Sequence, residues 1–138
     1  MIVDLEEKTE RGTFDLGGGG KVHLRLMTAT DIKEITKATM TTSPEYVLLE
    51  DPETKKKEYK RFEGQKFNVD LFDEMKWDRI IEGWDNVFDK DQKPIPVSSE
   101  NKTLLMTRVP DFAKAVNDGL KALKKEEEKK QKAAEKNS

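Results

Sequence analysis

A chain of 138 residues, 34% hydrophobic and 39% charged, supports one modest core and leaves much of its length for loops, solvated helix faces or a tail. It contains no cysteine, which excludes disulfides, thiolate metal sites and cysteine nucleophiles together and agrees with a reducing compartment. The formal net charge of −2 hides an asymmetry, because Lys121 to Ser138 carries seven lysines against four glutamates, net +3, and leaves −5 on residues 1–120.

The opening Met1-Ile-Val-Asp-Leu-Glu-Glu is acidic where a secretory leader is basic, so export is not expected. No window approaches the roughly 18–20 consecutive apolar residues that a membrane span needs. Residues 13–28 predict a β-hairpin: Thr13 to Leu16, a run of glycines Gly17 to Gly20, then Lys21 to Met27 with Val22, Leu24 and Leu26 alternating onto one face. That face needs a cover. Thr30 or Asp31 is placed to cap a helix over about 31–40, with Ile32, Ile35 and Thr36 on one side. Ser43-Pro44 ends it, and Tyr46 to Leu49, a charged turn and Lys57 to Phe62 predict a second hairpin over 46–62. Its Lys55-Lys56-Lys57 run suits an exposed edge, where lysine discourages stray pairing.

From Asn68 onward the period turns helical, with Leu71, Phe72, Met75, Ile80, Ile81 and Trp84 as an apolar stripe, so a helix is predicted over 70–84. After a proline-pinned turn, Ser98 is an N-cap and Glu100 complements the positive helix end, which predicts a helix over 98–109. Pro110 interrupts it. A last helix over 111–120 shows Phe112, Ala115, Val116 and Leu120 or Leu123 on one side, and then becomes a lysine- and glutamate-rich stretch with high helix propensity and almost nothing to bury. The expected fold is α+β: a small antiparallel sheet of N-terminal hairpins, about four strands, then a C-terminal helical region with an extended charged helical tail. One domain is expected over 1–120, and residues 121–138 form a helical or disordered tail that projects.

The glycine run before Lys21 is no phosphate-cradling loop, because Asp15 and Val22 occupy the places where glycine and a hydroxyl are needed and a strand follows instead of a helix. Asp89, Asp91 and Glu100 match positions of a calcium loop, yet Lys93 fills a ligand place and Pro94 the place of the bending glycine. A turn is the expectation there. His23 is the single histidine and shares a strand face with Arg25, which makes it a surface residue; composition alone leaves a hydroxyl–histidine–carboxylate arrangement open. The carboxylates are interleaved with lysines in solvated patterns. No catalytic, cofactor or metal residue is therefore assigned, and no enzyme activity is expected.

What remains is apolar helical surface. In so polar a chain most large apolar residues belong to a core, but an exposed aromatic among them makes an interface anchor. The partner-binding candidates on the 70–84 stripe are Leu71, Phe72, Met75, Trp77, Ile80 and Trp84. Phe88, Leu104, Leu105, Phe112 and Val116 extend the set beyond it. The tail lysines are diluted by Glu126, Glu127, Glu128 and Glu135 and lack interleaved aromatics, so nucleic-acid binding is not favoured.

The order Trp84, Asp89-Lys-Asp, Pro94-Ile-Pro96, the Ser98-x-Glu100-Asn101 cap, Leu104-Leu105 and Pro110 resembles a segment of the tail assembly chaperones of long-tailed (siphovirus-like) bacteriophages and prophages. The ending Ala134-Glu-Lys-Asn-Ser is similar too, and the resemblance covers about 77–138. It departs at Gln92, where such turns commonly carry glycine. The resemblance implies a non-enzymatic protein of the host bacterial cytoplasm that coats the tape measure protein and recruits tail tube subunits during tail morphogenesis. It also implies possible self-association, and association with a longer product of ribosomal slippage for which Lys124-Lys125 or Lys129-Lys130 codons would be the site. The alternatives are a permanent virion component, such as a tail or connector subunit, and a nucleic-acid-binding protein using the lysine-rich tail.

Overall fold

The alternating apolar residues of the first hairpin do form two strands, β1 (Arg11–Gly17) and β2 (Gly20–Arg25), starting slightly before the expected 13–28 span and ending before it. The computed structural model describes residues 1–136. Gly17, Gly18 and Gly19 all take positive φ (87°, 59° and 85°) at the turn, a region that side-chain-bearing residues resist. Val22 and Leu24 are fully buried on the inner face, with Leu26 partly buried beside them.

Helix α1 (Ala29–Thr39) begins earlier than expected, because Thr28 is its N-cap: Thr28 Oγ1 accepts from Asp31 N at 3.1 Å while Asp31 Oδ2 accepts from Thr28 N at 2.9 Å. The chain then passes directly into β3 (Met40–Glu50), which pairs antiparallel with β4 (Lys57–Phe67) over the whole length of both strands. The expected 46–62 hairpin is thus longer at both ends. It also does not join the first one. The single sheet of about four strands is replaced by a three-stranded sheet of order β1-β2-β5 and a separate two-stranded ribbon, β3-β4.

The third strand of the first sheet comes from the stretch read as helix 70–84. Helix α2 (Val69–Ile80) stops at Ile80, and β5 (Ile81–Asp85) follows at once. Val22 faces Trp84 and Leu24 faces Ile81, so Glu82 and Gly83 share the space opposite His23 as a β-bulge. The extra residue turns Ile81 and Trp84, three apart, toward the same core. That is the spacing of a helix face, which is why the stripe looked unbroken.

Helix α3 (Ser99–Arg108) lies within the expected 98–109, with Ser98 Oγ accepting from Asn101 N at 3.1 Å as its N-cap. Pro110 ends one helix and starts the next, occupying the first turn of α4 (Pro110–Lys136), where its missing N–H costs nothing. Helix α4 is continuous past residue 120, and Asn137 and Ser138 of the expected tail lie outside the described residues. It covers the inner face of β1 and β2: Phe112, Val116 and Leu123 join Val22, Leu24, Ile80, Ile81, Trp84 and Leu105 in one core. Leu123 is buried, so apolar contact extends into the lysine-rich part.

Gly119 lets α4 approach the sheet, since a Cβ there would stand 2.7 Å from Leu24 Cδ1 and 2.9 Å from Phe14 Cδ2. Leu24 is fully buried and has nowhere to move. Gly119→Val is therefore expected to destabilise the fold by about 1–3 kcal/mol through overpacking, measured by urea unfolding, despite the higher helix propensity of valine over glycine.

Candidate partner-binding surfaces

The outer face of the three-stranded sheet carries a polar ladder. Arg11 Nε donates to Glu82 Oε1 at 3.0 Å, and Lys21 pairs with Asp15. His23 lies between Thr13, whose Oγ1 is 2.8 Å from Nδ1, and Asp85, whose Oδ2 is 2.8 Å from Nε2. Hydroxyl, imidazole and carboxylate stand in line across three strands, but on an open sheet surface with His23 38% and Asp85 63% exposed. Catalytic use would require a cleft to exclude water and orient a substrate; the arrangement reads as a cross-strand polar ladder.

A buried ionic cluster lies behind α1. Asp31 receives Arg25 Nη1 at 2.6 Å and Arg79 Nη1 at 3.0 Å, so one carboxylate ties β2, α1 and α2 together. The Arg25 hydrogen bond holds its carboxyl far below the usual carboxylate range, against the opposing effect of burial. A similar tie joins α2 to α3: Ser99 Oγ donates to Asp78 Oδ1 at 2.6 Å, and the nearly buried Lys102 donates to Asp78 O and Oδ1 at 3.0 and 3.2 Å. The Ser99 hydroxyl, ahead of Lys102, lowers the Asp78 carboxyl's affinity for its proton. These ion pairs are structural.

In the acidic turn Asp89 Oδ1 accepts from Asp91 N at 2.8 Å and Lys93 N at 3.0 Å, the side-chain-to-backbone bonds that shape such a turn. Gln92 adopts φ 61°, the left-handed conformation in which glycine is easier. The turn is pinned to the core by Trp84 Nε1, which donates to Ile95 O at 2.8 Å, while the Trp84 ring meets Phe112 edge-on at 5.9 Å. Among the described residues no group of three or more histidines, aspartates or glutamates is arranged to hold a metal, and no helix is long and apolar enough to cross a membrane.

The partner-binding candidates separate by depth. Ile80, Trp84, Leu105, Phe112 and Val116 are core residues. Leu71, Phe72, Met75, Trp77 and Leu104 are half-buried, with Phe72 against Phe67 of the ribbon at 5.4 Å. Phe88 is 53% exposed. Beside it lies an open cleft of about 350 Å³, floored by Pro94, Ile95, Leu104, Leu105 and Val109, with Asp89 and Arg108 at its rim. Leu104 and Leu105 are the two candidates that this cleft brings together.

Two surfaces were missed in the sequence. One is a groove of about 370 Å³ with Leu26, Met27, Ile32, Ile80 and Leu120 beneath Lys76, Lys121, Lys124 and Glu127. Its signal was the lysines flanking the Leu120 stripe. The other is the pair of faces of the ribbon, of which only an exposed edge was expected: Tyr46, Val47, Leu48, Leu49, Tyr59 and Phe62 are all exposed.

A protein-family model described as YdaY prophage protein matches residues 46–137, two thirds of the chain, from the ribbon to the end of α4. No curated protein and no solved structure matches.

Proposed function

From the premise that the chain belongs to the YdaY prophage protein family, we propose that it is a non-enzymatic tail assembly chaperone that binds the tape measure protein and recruits tail tube subunits in the host cytoplasm. The observation that supports this reading best is the apolar cleft at the Pro94 bend, flanked by the exposed Phe88 and Val109. It coincides with the segment that resembles such chaperones. A tape measure is a long helical chain whose apolar stripes aggregate unless covered, and a cleft of aliphatic side chains with charged edges covers a short stretch of such a helix reversibly. The lysine-rimmed groove beside Leu120 of α4 offers a second contact for a partner with acidic flanks. No bond needs to be made or broken for either task.

Co-expression with the neighbouring tape measure gene tests the reading. The tape measure is expected to stay soluble and co-purify with the wild-type protein, and Phe88→Glu with Val109→Glu is expected to cut recovery about ten-fold, as loss of an interface anchor does. A tape measure equally soluble and unassociated without this protein would refute it. The exposed ribbon favours a second reading, a permanent virion component that uses strand edges for assembly. Mass spectrometry of purified particles separates the two, since a chaperone is absent from the finished virion.

A further inference from the structure

The ribbon has two free edges, and they differ. Asp51 N donates to Lys56 O at 2.9 Å and Asn68 N to Thr39 O at 2.9 Å, one at each end of the ladder. With the alternation of an antiparallel pair, the even-numbered residues of β4 bond to β3 and the odd-numbered ones, Lys57 to Phe67, turn their N–H and C=O outward. On β3 the outward row includes Pro44, which has no N–H to offer. The β4 edge is therefore the complete one.

We propose that this edge pairs with the β4 edge of a second copy, antiparallel about a two-fold axis through Phe62, to make a continuous four-stranded sheet. Phe62 is the middle residue of β4, so this register alone uses the whole strand. Outward groups then meet outward groups. Arg61 faces Glu63 of the second copy and Glu58 faces its Lys66, each contact repeated by the axis, and Phe62 faces Phe62. Within one chain Arg61 already pairs with Glu63 at 3.3 Å, so the dimer closes a square of alternating charge. Lys60 comes opposite Gly64 of the second copy, and Gly64 is overlaid by the Glu45 carboxyl, which supplies the lysine with a counter-charge.

Neighbouring registers fail on the same criterion. Centring the pair on Arg61 puts arginine opposite arginine, and centring it on Glu63 puts glutamate opposite glutamate and Lys60 opposite Lys66. The lysines that deter unspecified strands thus select one partner and one alignment. The pairing stands independently of the tail-assembly reading.

Sedimentation of the full chain is expected to show a concentration-dependent dimer with micromolar affinity, suited to a small interface. Arg61→Glu is expected to weaken it about ten-fold, since like charges then face each other twice across the axis, and Arg61→Glu with Glu63→Arg is expected to restore it. Because the chain has no cysteine, Phe62→Cys introduces the sole thiol at a pair whose Cα atoms are about 4.5 Å apart, within disulfide reach. Oxidation should link Phe62→Cys chains covalently and leave Lys60→Cys chains unlinked. A monomer at every concentration, equal cross-linking at both positions, or failure of the charge swap to restore association would overturn the proposal; circular dichroism confirms that each variant is folded.

Discussion

Replacing Asp31 with alanine is expected to destabilise the protein by about 3 kcal/mol, the cost of leaving a partly buried charge without its partner, read from denaturant unfolding at pH 7. The carboxylate is 6% exposed and joins Arg25, itself 15% exposed, to Arg79. It also completes the box that starts α1. Alanine strands the Arg25 guanidinium and removes the cap together. Asp31→Asn retains a cap acceptor and is expected to lose less. The pH dependence follows from the direction of the shift: the folded carboxyl binds its proton less readily than the unfolded one, whose ordinary value is 3.8. Its contribution is present in full above that value and is lost as pH falls below it toward the depressed folded value. The stability gap between wild type and Asp31→Asn should therefore be widest near neutrality and narrow below about pH 4. A gap that stays constant down to pH 2 would show that the carboxylate's charge is not what stabilises the site.

Trp84→Ala is expected to cost about 3–5 kcal/mol, the range for deleting a large buried aromatic. Trp84 is 7% exposed, packs against Phe112 and holds the Ile95 carbonyl. Trp84→Phe separates the two roles. It keeps most of the ring packing but releases the carbonyl, so stability should fall by about 1–2 kcal/mol while amide exchange at Asp91, Lys93 and Ile95 accelerates. If Trp84 were instead an interface anchor, both variants would unfold like wild type and fail only in partner binding.

Some helix ends and caps were legible because their chemistry is local, although the Thr28 cap of α1 and the end of α2 at Ile80 were not among them. Ser98 caps α3, Pro110 divides α3 from α4, and Gly17 to Gly19 turn the first hairpin. Val22 and Leu24 announced a face in need of cover, and α4 provides it. Strand β5 was not legible, since a bulge gives Ile81 and Trp84 the spacing of a helix. The extent of the ribbon was hidden for the opposite reason: with neither face buried, Met40 to Glu50 and Lys57 to Phe67 carry no alternating pattern to find. Five of the partner-binding candidates are core residues because an apolar stripe looks the same whether it meets the chain's own sheet or another molecule. Of the rest, Leu104 lines a cleft and Phe88 is exposed.

The ribbon leaves the body after Thr39 and returns at Asn68, and the Asn68 N to Thr39 O bond closes its base. Strand β5 must find β2 across an intervening stretch dominated by this excursion, and a long connection makes such a search entropically expensive. Once the hairpin has zipped from its own turn, its ends are neighbours and the effective separation between α1 and α2 shrinks to a few bonds. An appendage that contributes nothing to the interior thereby shortens the path by which the interior assembles.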